Sequence, residues 1–249
     1  VGIDTAAVFD AVHELERGGL LHRADGRLTF EHDLVRRAVL DDTSTDARRE
    51  LHLRALAAVE RADPTDAARL LGHAEGAGDA SSIVVASIAV GTDALDQSAY
   101  RTAEDHFDRA LELVAAADDP LALHAALAGR IRARDRLADR AGQGADVARL
   151  VEHATAAGPQ FLTEALQLEA EYRFITGDFD GTLATVERAT GRRIDELTAT
   201  VEVASPDDVP TEMLRIASMT LRELGRHAEA TQLGEAARDR YAAASDTYG

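Results

Sequence analysis

The sequence predicts a mainly α-helical protein with one small β-hairpin near its start, and three observations carry that expectation. Alanine supplies much of a 45% hydrophobic content, while aromatic residues make up only 4% of the 249. This mixture suits close helix packing and is poor in the residues that strands favour. Apolar residues recur at helical spacing through most of the chain, and hairpin punctuation is concentrated at Asp25-Gly26.

The elements follow in order. Asp4 or Thr5 caps a first helix whose Val8, Phe9, Val12 and Leu15 share a face, and Gly18-Gly19 ends it. A short strand, the Asp25-Gly26 turn and a second strand through Leu28 and Phe30 come next. The stretch from His32 to Leu40 resumes a helical period, and a further helix covers roughly Asp46–Arg61, with Leu51, Leu53, Leu56 and Val59. Helix, hairpin and helix in that order make the last part of a winged helix. Residues 1–62 are therefore expected to form a partial winged-helix domain with a connecting helix, and residues 63–249 a train of helices. Asp63-Pro64 and Asp119-Pro120 each offer an N-cap followed by proline at the first helical position. "AGQGAD" at 141–146 reads as a helix–helix turn, and 196–210 as an insertion only partly helical.

The train repeats. Tyr100, Ala103, Phe107 and Ala110 set a spacing that returns at Phe179, Thr182, Val186 and Ala189, and again at His227, Ala230, Gly234 and Ala237. A weaker copy runs Gly144, Val147, Val151 and Ala154. These copies resemble the second helix of a tetratricopeptide repeat and imply a tetratricopeptide-like α-helical solenoid. Their final residues, Ala110, Ala154, Ala189 and Ala237, lie 44, 35 and 48 apart, against a family period of about 34.

Several chemistries are excluded or disfavoured. No cysteine is present, which removes disulfides and thiolate sites. The nine histidines include no HExxH, and neither a Walker A loop nor GxGxxG occurs. Asp178-Phe179-Asp180-Gly181-Thr182 spells DxDGT, the nucleophile loop of haloacid-dehalogenase-type phosphatases, in which the first carboxylate attacks phosphorus. Such catalysis wants a cation on the phosphoryl group and a buried strand before the first aspartate. The chain has no lysine, and Leu166, Leu168, Tyr172 and Ile175 precede the motif at helical spacing. Asp178 or Asp180 is instead expected to cap a repeat helix, with no catalytic residue in the chain. "GRIRARDRLADR" places Arg132, Arg136 and Arg140 on one stripe and Arg130 and Arg134 on another, read as an exposed face paired with Asp135, Asp139 and neighbouring acidic helices.

The net charge of −18, with arginine as the basic residue throughout, fits either a salt-rich cytosol or a codon bias against lysine. That field repels nucleic acid and anionic membrane. No apolar run reaches the roughly 20 residues of a membrane span, and no secretory signal opens the chain. A cytoplasmic fragment of a longer protein, without membrane or direct nucleic-acid contact, is expected.

The stretch 27–60, continued by 67–79, resembles signal-transduction ATPases of the STAND class, especially ATP-binding LuxR-type transcription regulators. Phe30, His32, Asp33, Leu34, Val35, Arg36, Ala38 and Val39 match the family segment that follows its ATPase core. Arg48, Arg49, Leu51 and His52 fall in the next one, with a one-residue shift at the histidine, and Glu31 departs from the pattern. The resemblance implies that His32 touches the β-phosphate of bound ADP and that Asp33 starts the following helix. It also implies ATP or ADP on an upstream ATPase domain of the same chain, with no cofactor in the present residues. A protein, peptide or small effector would bind the repeats, whose concave surface suits such ligands. The alternative is a protein-interaction scaffold without nucleotide control.

Overall fold

The computed structural model describes residues 4–24, 27–200 and 209–246. The chain is mainly helical and divides into two compact units, Val1–Gly78 and Asp79–Gly249. The expected boundary after residue 62 lies one helix earlier than this division.

In the first unit, α1 (Thr5–Arg17) is capped by Asp4, whose carboxylate accepts from the Ala6 N–H at 3.0 Å. It stops at Gly18-Gly19, where Gly19 has a φ of +66°. Strands β1 (Leu21–Ala24) and β2 (Arg27–Phe30) pair antiparallel, with Leu21 opposite Phe30 and Ala24 opposite Arg27. The Asp25-Gly26 turn lies outside the described residues. Helix α2 (Asp33–Asp42) follows, then α3 (Thr45–Ala62) and α4 (Ala67–Ala77). Leu56 and Val59 of α3 are buried, as are Ala67, Leu71, Ala74 and Ala77 of α4, and the two helices pack together. Asp63-Pro64 does not start α4 as expected. Asp63 ends α3 and accepts hydrogen bonds from Thr65, while Asp66 caps α4 through the Arg69 N–H.

The second unit is a helical array: α5 (Ala80–Asp96), α6 (Tyr100–Ala117), α7 (Pro120–Leu137), α8 (Arg140–Ala157), α9 (Pro159–Ile175), α10 (Phe179–Thr190), α11 (Ile194–Thr200), α12 (Thr211–Glu223) and α13 (His227–Asp246). Successive helices pack as hairpins α5/α6, α7/α8, α9/α10 and α12/α13, and the first helices of neighbouring hairpins touch as well. Helix α11 occupies the start of the expected insertion, and residues 201–208 lie outside the described residues.

Within the array the same turn recurs at its four hairpins. At each hairpin the chain turns through a left-handed residue: Ser98 (φ +59°), Ala138 (+59°), Gly177 (+80°) and Gly225 (+74°). The N–H after each bonds back to a carbonyl five residues earlier: Ala99 to Ala94 (2.8 Å), Asp139 to Arg134 (3.0 Å), Asp178 to Arg173 (2.9 Å) and Arg226 to Leu221 (2.8 Å). This is the Schellman arrangement, which satisfies the orphan carbonyls of the ending helix. It also corrects the repeat. The second helices begin at Tyr100, Arg140, Phe179 and His227, which are 40, 39 and 48 residues apart. The weak copy therefore aligns as Arg140, Gln143, Val147 and Leu150, four residues earlier than read. Gln143 sits where the other copies place Ala103, Thr182 and Ala230, and is equally buried. Its amide oxygen accepts from Arg140 at 2.6 Å, so hydropathy does not register it as a core position.

The same turn overturns the reading of "AGQGAD". Those residues are the opening turns of α8, with Asp139 accepting from the Gly142 N–H at 3.1 Å. Gly144 lies inside the helix and makes room for Tyr172, since a Cβ there would stand 2.3 Å from its hydroxyl oxygen. The glycines serve capping and close approach, and alanine holds the turn.

A left-handed alanine carries a steric cost that glycine does not. Ala138→Gly is expected to raise the unfolding free energy by about 0.5–1 kcal/mol, and Gly177→Ala to lower it by a similar amount. Urea denaturation measures both, and no gain from Ala138→Gly would show that its positive φ is unstrained.

Candidate functional site

A cleft of about 360 Å³ opens in the helical array where three hairpins meet. The end of α5 contributes Leu95 and Asp96, and the start of α6 contributes Tyr100, both set by the Ser98 turn. Helix α7 supplies Ile131, Arg132, Asp135 and Arg136, the start of α8 supplies Gln143, and α9 supplies Leu168 and Glu171. Ile131 and Leu168 lie nearly buried at its base, so the charged and polar side chains around them supply most of its open surface.

The α7 side of the cleft is held from behind. Arg130 and Arg134, one turn apart, are only 15% and 16% exposed, which corrects the expectation that their stripe faces solvent. Asp146 of α8, 5% exposed, receives Arg130 Nη2 at 2.5 Å and Arg134 Nη1 at 2.8 Å. Arg130 also reaches Asp108 at 2.6 Å and Arg134 reaches Glu104 at 2.9 Å, both on α6. Burial alone would lower the Arg130 pKa, but its bonds to Asp146 and Asp108 outweigh that and raise it. The guanidinium fork suits this role because it offers several donors in a fixed plane.

The other arginines of the motif behave differently. Arg132 pairs with Glu164 of α9, and Arg140 bonds Asp135 at 2.6 Å, as the exposed-face reading expected for Asp135. Arg140 belongs to α8 rather than to the Arg132 stripe. Arg136 is exposed and carries no ion pair among the described residues. Glu164 also meets His124 Nε2 at 2.9 Å. Burial would raise the Glu164 carboxyl, yet the bonds from Arg132 and His124 hold it below its usual value. The ionised carboxylate requires His124 Nε2 to donate, and the buried Nδ1 has no hydrogen-bond partner among the described residues.

The DxDGT stretch lies at the turn into α10. Asp178 caps that helix through the Gly181 N–H at 3.0 Å and receives Arg173 Nη1 at 2.6 Å. The residues before it form α9 rather than a strand. Its carboxyl is held below the usual range by the Gly181 N–H and then by Arg173.

In the first unit, His32 precedes α2 with extended backbone (φ −130°, ψ 129°), and its side chain makes no capping bond. Asp33 begins the helix and receives Arg36 and Arg37, each at 2.8 Å. Glu31 meets His22 Nδ1 at 2.8 Å. His52 of α3 and His73 of α4 approach with their Nδ1 atoms 3.2 Å apart, a pairing invisible at a separation of 21 residues. Gly76 makes room for it, since a Cβ there would lie 2.4 Å from the His52 ring. No group of three or more histidine or acidic side chains that could hold a metal occurs among the described residues.

No protein-family model matches this sequence, and no curated protein is significantly similar to it.

Two predictions follow from these contacts. Removing one member of a buried ion network strands its partners. Asp146→Ala is expected to destabilise the protein by about 3–5 kcal/mol, whereas breaking the exposed Arg109–Glu112 pair with Arg109→Ala should stay within about 0.5 kcal/mol. Chemical denaturation of both variants checks the contrast. Burial, then His52, then Arg69 hold the His73 pKa below its ordinary 6.5. The folded state thus binds fewer protons than the unfolded one, so stability is full above pH 6.5 and falls as pH drops through that value until the folded pKa is passed. Thermal melts across this range should show the loss, and His73→Gln should remove it.

Proposed function

We propose that this chain is the sensor and relay part of an ATP-dependent signal-transduction regulator, acting in transcription control and not catalytic by itself. The helical array receives a protein, peptide or small effector. The N-terminal unit couples that event to a nucleotide-binding domain of the same protein. The observation that carries this reading is the surface of the N-terminal unit. Helix α2 contains no buried residue, and Leu34 is 78% exposed. Phe9 of α1 is 57% exposed, and Val8, Leu28, Val39 and Leu40 are also uncovered. An uncovered apolar face of this kind fits a docking module, and Leu34 and Val39 fall within the STAND-like segment. The array differs, having several buried apolar clusters of its own.

His32 supports the reading by position, since it stands at the N-terminus of α2, where backbone donors favour an anion. Glu31 favours the second reading, a repeat scaffold without nucleotide control, because it puts an acid next in sequence to the proposed phosphate contact. For the relay to be allosteric, the effector must bind two states unequally.

ADP binding to the protein that includes its nucleotide-binding domain separates the two readings. His32→Ala is expected to weaken ADP roughly tenfold, the worth of one hydrogen bond to a charged phosphate. Calorimetric titration measures it. Unchanged affinity would remove His32 from the mechanism and favour the scaffold.

A further inference from the structure

We propose that His52 and His73 form a site for a borderline divalent metal such as zinc, held between α3 and α4 and completed by water. The site lies in the first unit and is independent of any effector on the helical array. Its first support is distance. The two Nδ1 atoms stand 3.2 Å apart, and two nitrogens bound at roughly 2.0–2.1 Å to a tetrahedral ion stand about 3.3–3.4 Å apart. A metal therefore fits in place of the proton through which one ring donates to the other, with little movement of either. The donating ring then carries its proton on Nε2, as its partner already does.

The second support is Gly76. Glycine inside a helix is less favourable than alanine, so its presence in α4 calls for a reason. A Cβ there would stand 2.4 to 2.5 Å from Nδ1, Cε1 and Cγ of His52, which places that ring directly over the glycine. His73 and Gly76 are three residues apart and so share a face of α4. The glycine thus seats the His52 ring beside the His73 ring.

The frame around the pair is firm and the pair itself is open. Leu56 and Val59 of α3 and Leu71 and Ala74 of α4 are buried, whereas both histidines are half-buried. A metal there would tie together the two helices that hold the buried apolar core of the first unit. Coordination needs neutral imidazoles, and burial, His52 and Arg69 already disfavour a proton on His73. Arg69 opposes a metal cation as well, and two of the four tetrahedral positions fall to water, so the ion is exchangeable rather than structural. Imidazole suits zinc, copper or nickel, while magnesium and calcium prefer oxygen. That preference separates this site from the 45 acidic residues of the chain.

Calorimetric titration of the whole chain with zinc chloride, in buffer with excess magnesium to occupy the carboxylates, tests this. One saturable zinc per chain is expected. His52→Gln and His73→Gln should each weaken it about tenfold or more, since losing even a supporting contact of a metal ligand typically costs that much. Gly76→Ala should weaken it similarly by displacing the His52 ring. Its metal-free thermal melt should match or exceed that of the wild type, because alanine suits a helix better. That variant keeps the test decisive if a histidine substitution disturbs folding. Zinc should also shift the ring-proton resonances of His52 and His73 and leave those of the other histidines in place. An absence of saturable binding, or equal binding by wild type and all three variants, would overturn the proposal. Binding lost in both histidine variants but kept by Gly76→Ala would overturn the preformed geometry.

Discussion

Asp146 is the side chain on which the centre of the array depends. It places a carboxylate at a position nearly closed to water, and it is tolerable there because Arg130 and Arg134 reach it from α7. The two arginines are satisfied in turn by Asp108 and Glu104 of α6. Three helices thus share one set of charge-assisted hydrogen bonds, whose members depend on one another because Arg130, Arg134, Asp146 and Glu104 would otherwise be largely buried, unpaired charges. The network fixes the rotation of α7, and the outward face of α7 forms one wall of the cleft.

Close packing completes what the charges begin. Phe107 of α6 is almost fully buried between α5 and α7, and its ring occupies the space that a Cβ on Gly129 or Gly91 would need. A Cβ on Gly129 would stand 2.3 Å from the ring, so glycine is required for the helices to approach this closely. Tyr172 against Gly144 makes the same kind of fit one hairpin later. These two fits place scarce aromatic rings where helices approach most closely. They also keep the first helices of adjacent hairpins close enough for α5, α7 and α9 to line a single cleft.

Much of this was legible in the chain, element by element. The apolar face of the first helix, the hairpin around Asp25-Gly26 and the Asp119-Pro120 cap follow from local rules, because each involves residues within a few positions of one another. The cap at Asp178 was legible for the same reason, and it gives DxDGT a structural role. Local rules failed where a residue type was used against its habit. Ala138 holds a left-handed turn, while the glycines of "AGQGAD" sit inside a helix, so glycine placement points to a turn three residues late. Gln143 fills a core position as a polar side chain, which shifted one repeat by four residues. Arg130 and Arg134 looked like a solvated stripe because their partners, Asp108, Asp146 and Glu104, lie on other helices.

By itself, then, the sequence determined the helical class, the N-terminal hairpin, the order of the elements and the existence of a repeat. Those features are encoded in periodicity and in short-range hydrogen bonds, which depend only on neighbouring residues. The tertiary structure alone decided which charges are buried and shared, which histidines meet, and which residues of α5, α7 and α9 face one another across a cleft. These depend on side chains brought together from distant segments. Asp96, Arg136 and Glu171 share no motif or spacing, and only the stacking of hairpins makes them neighbours.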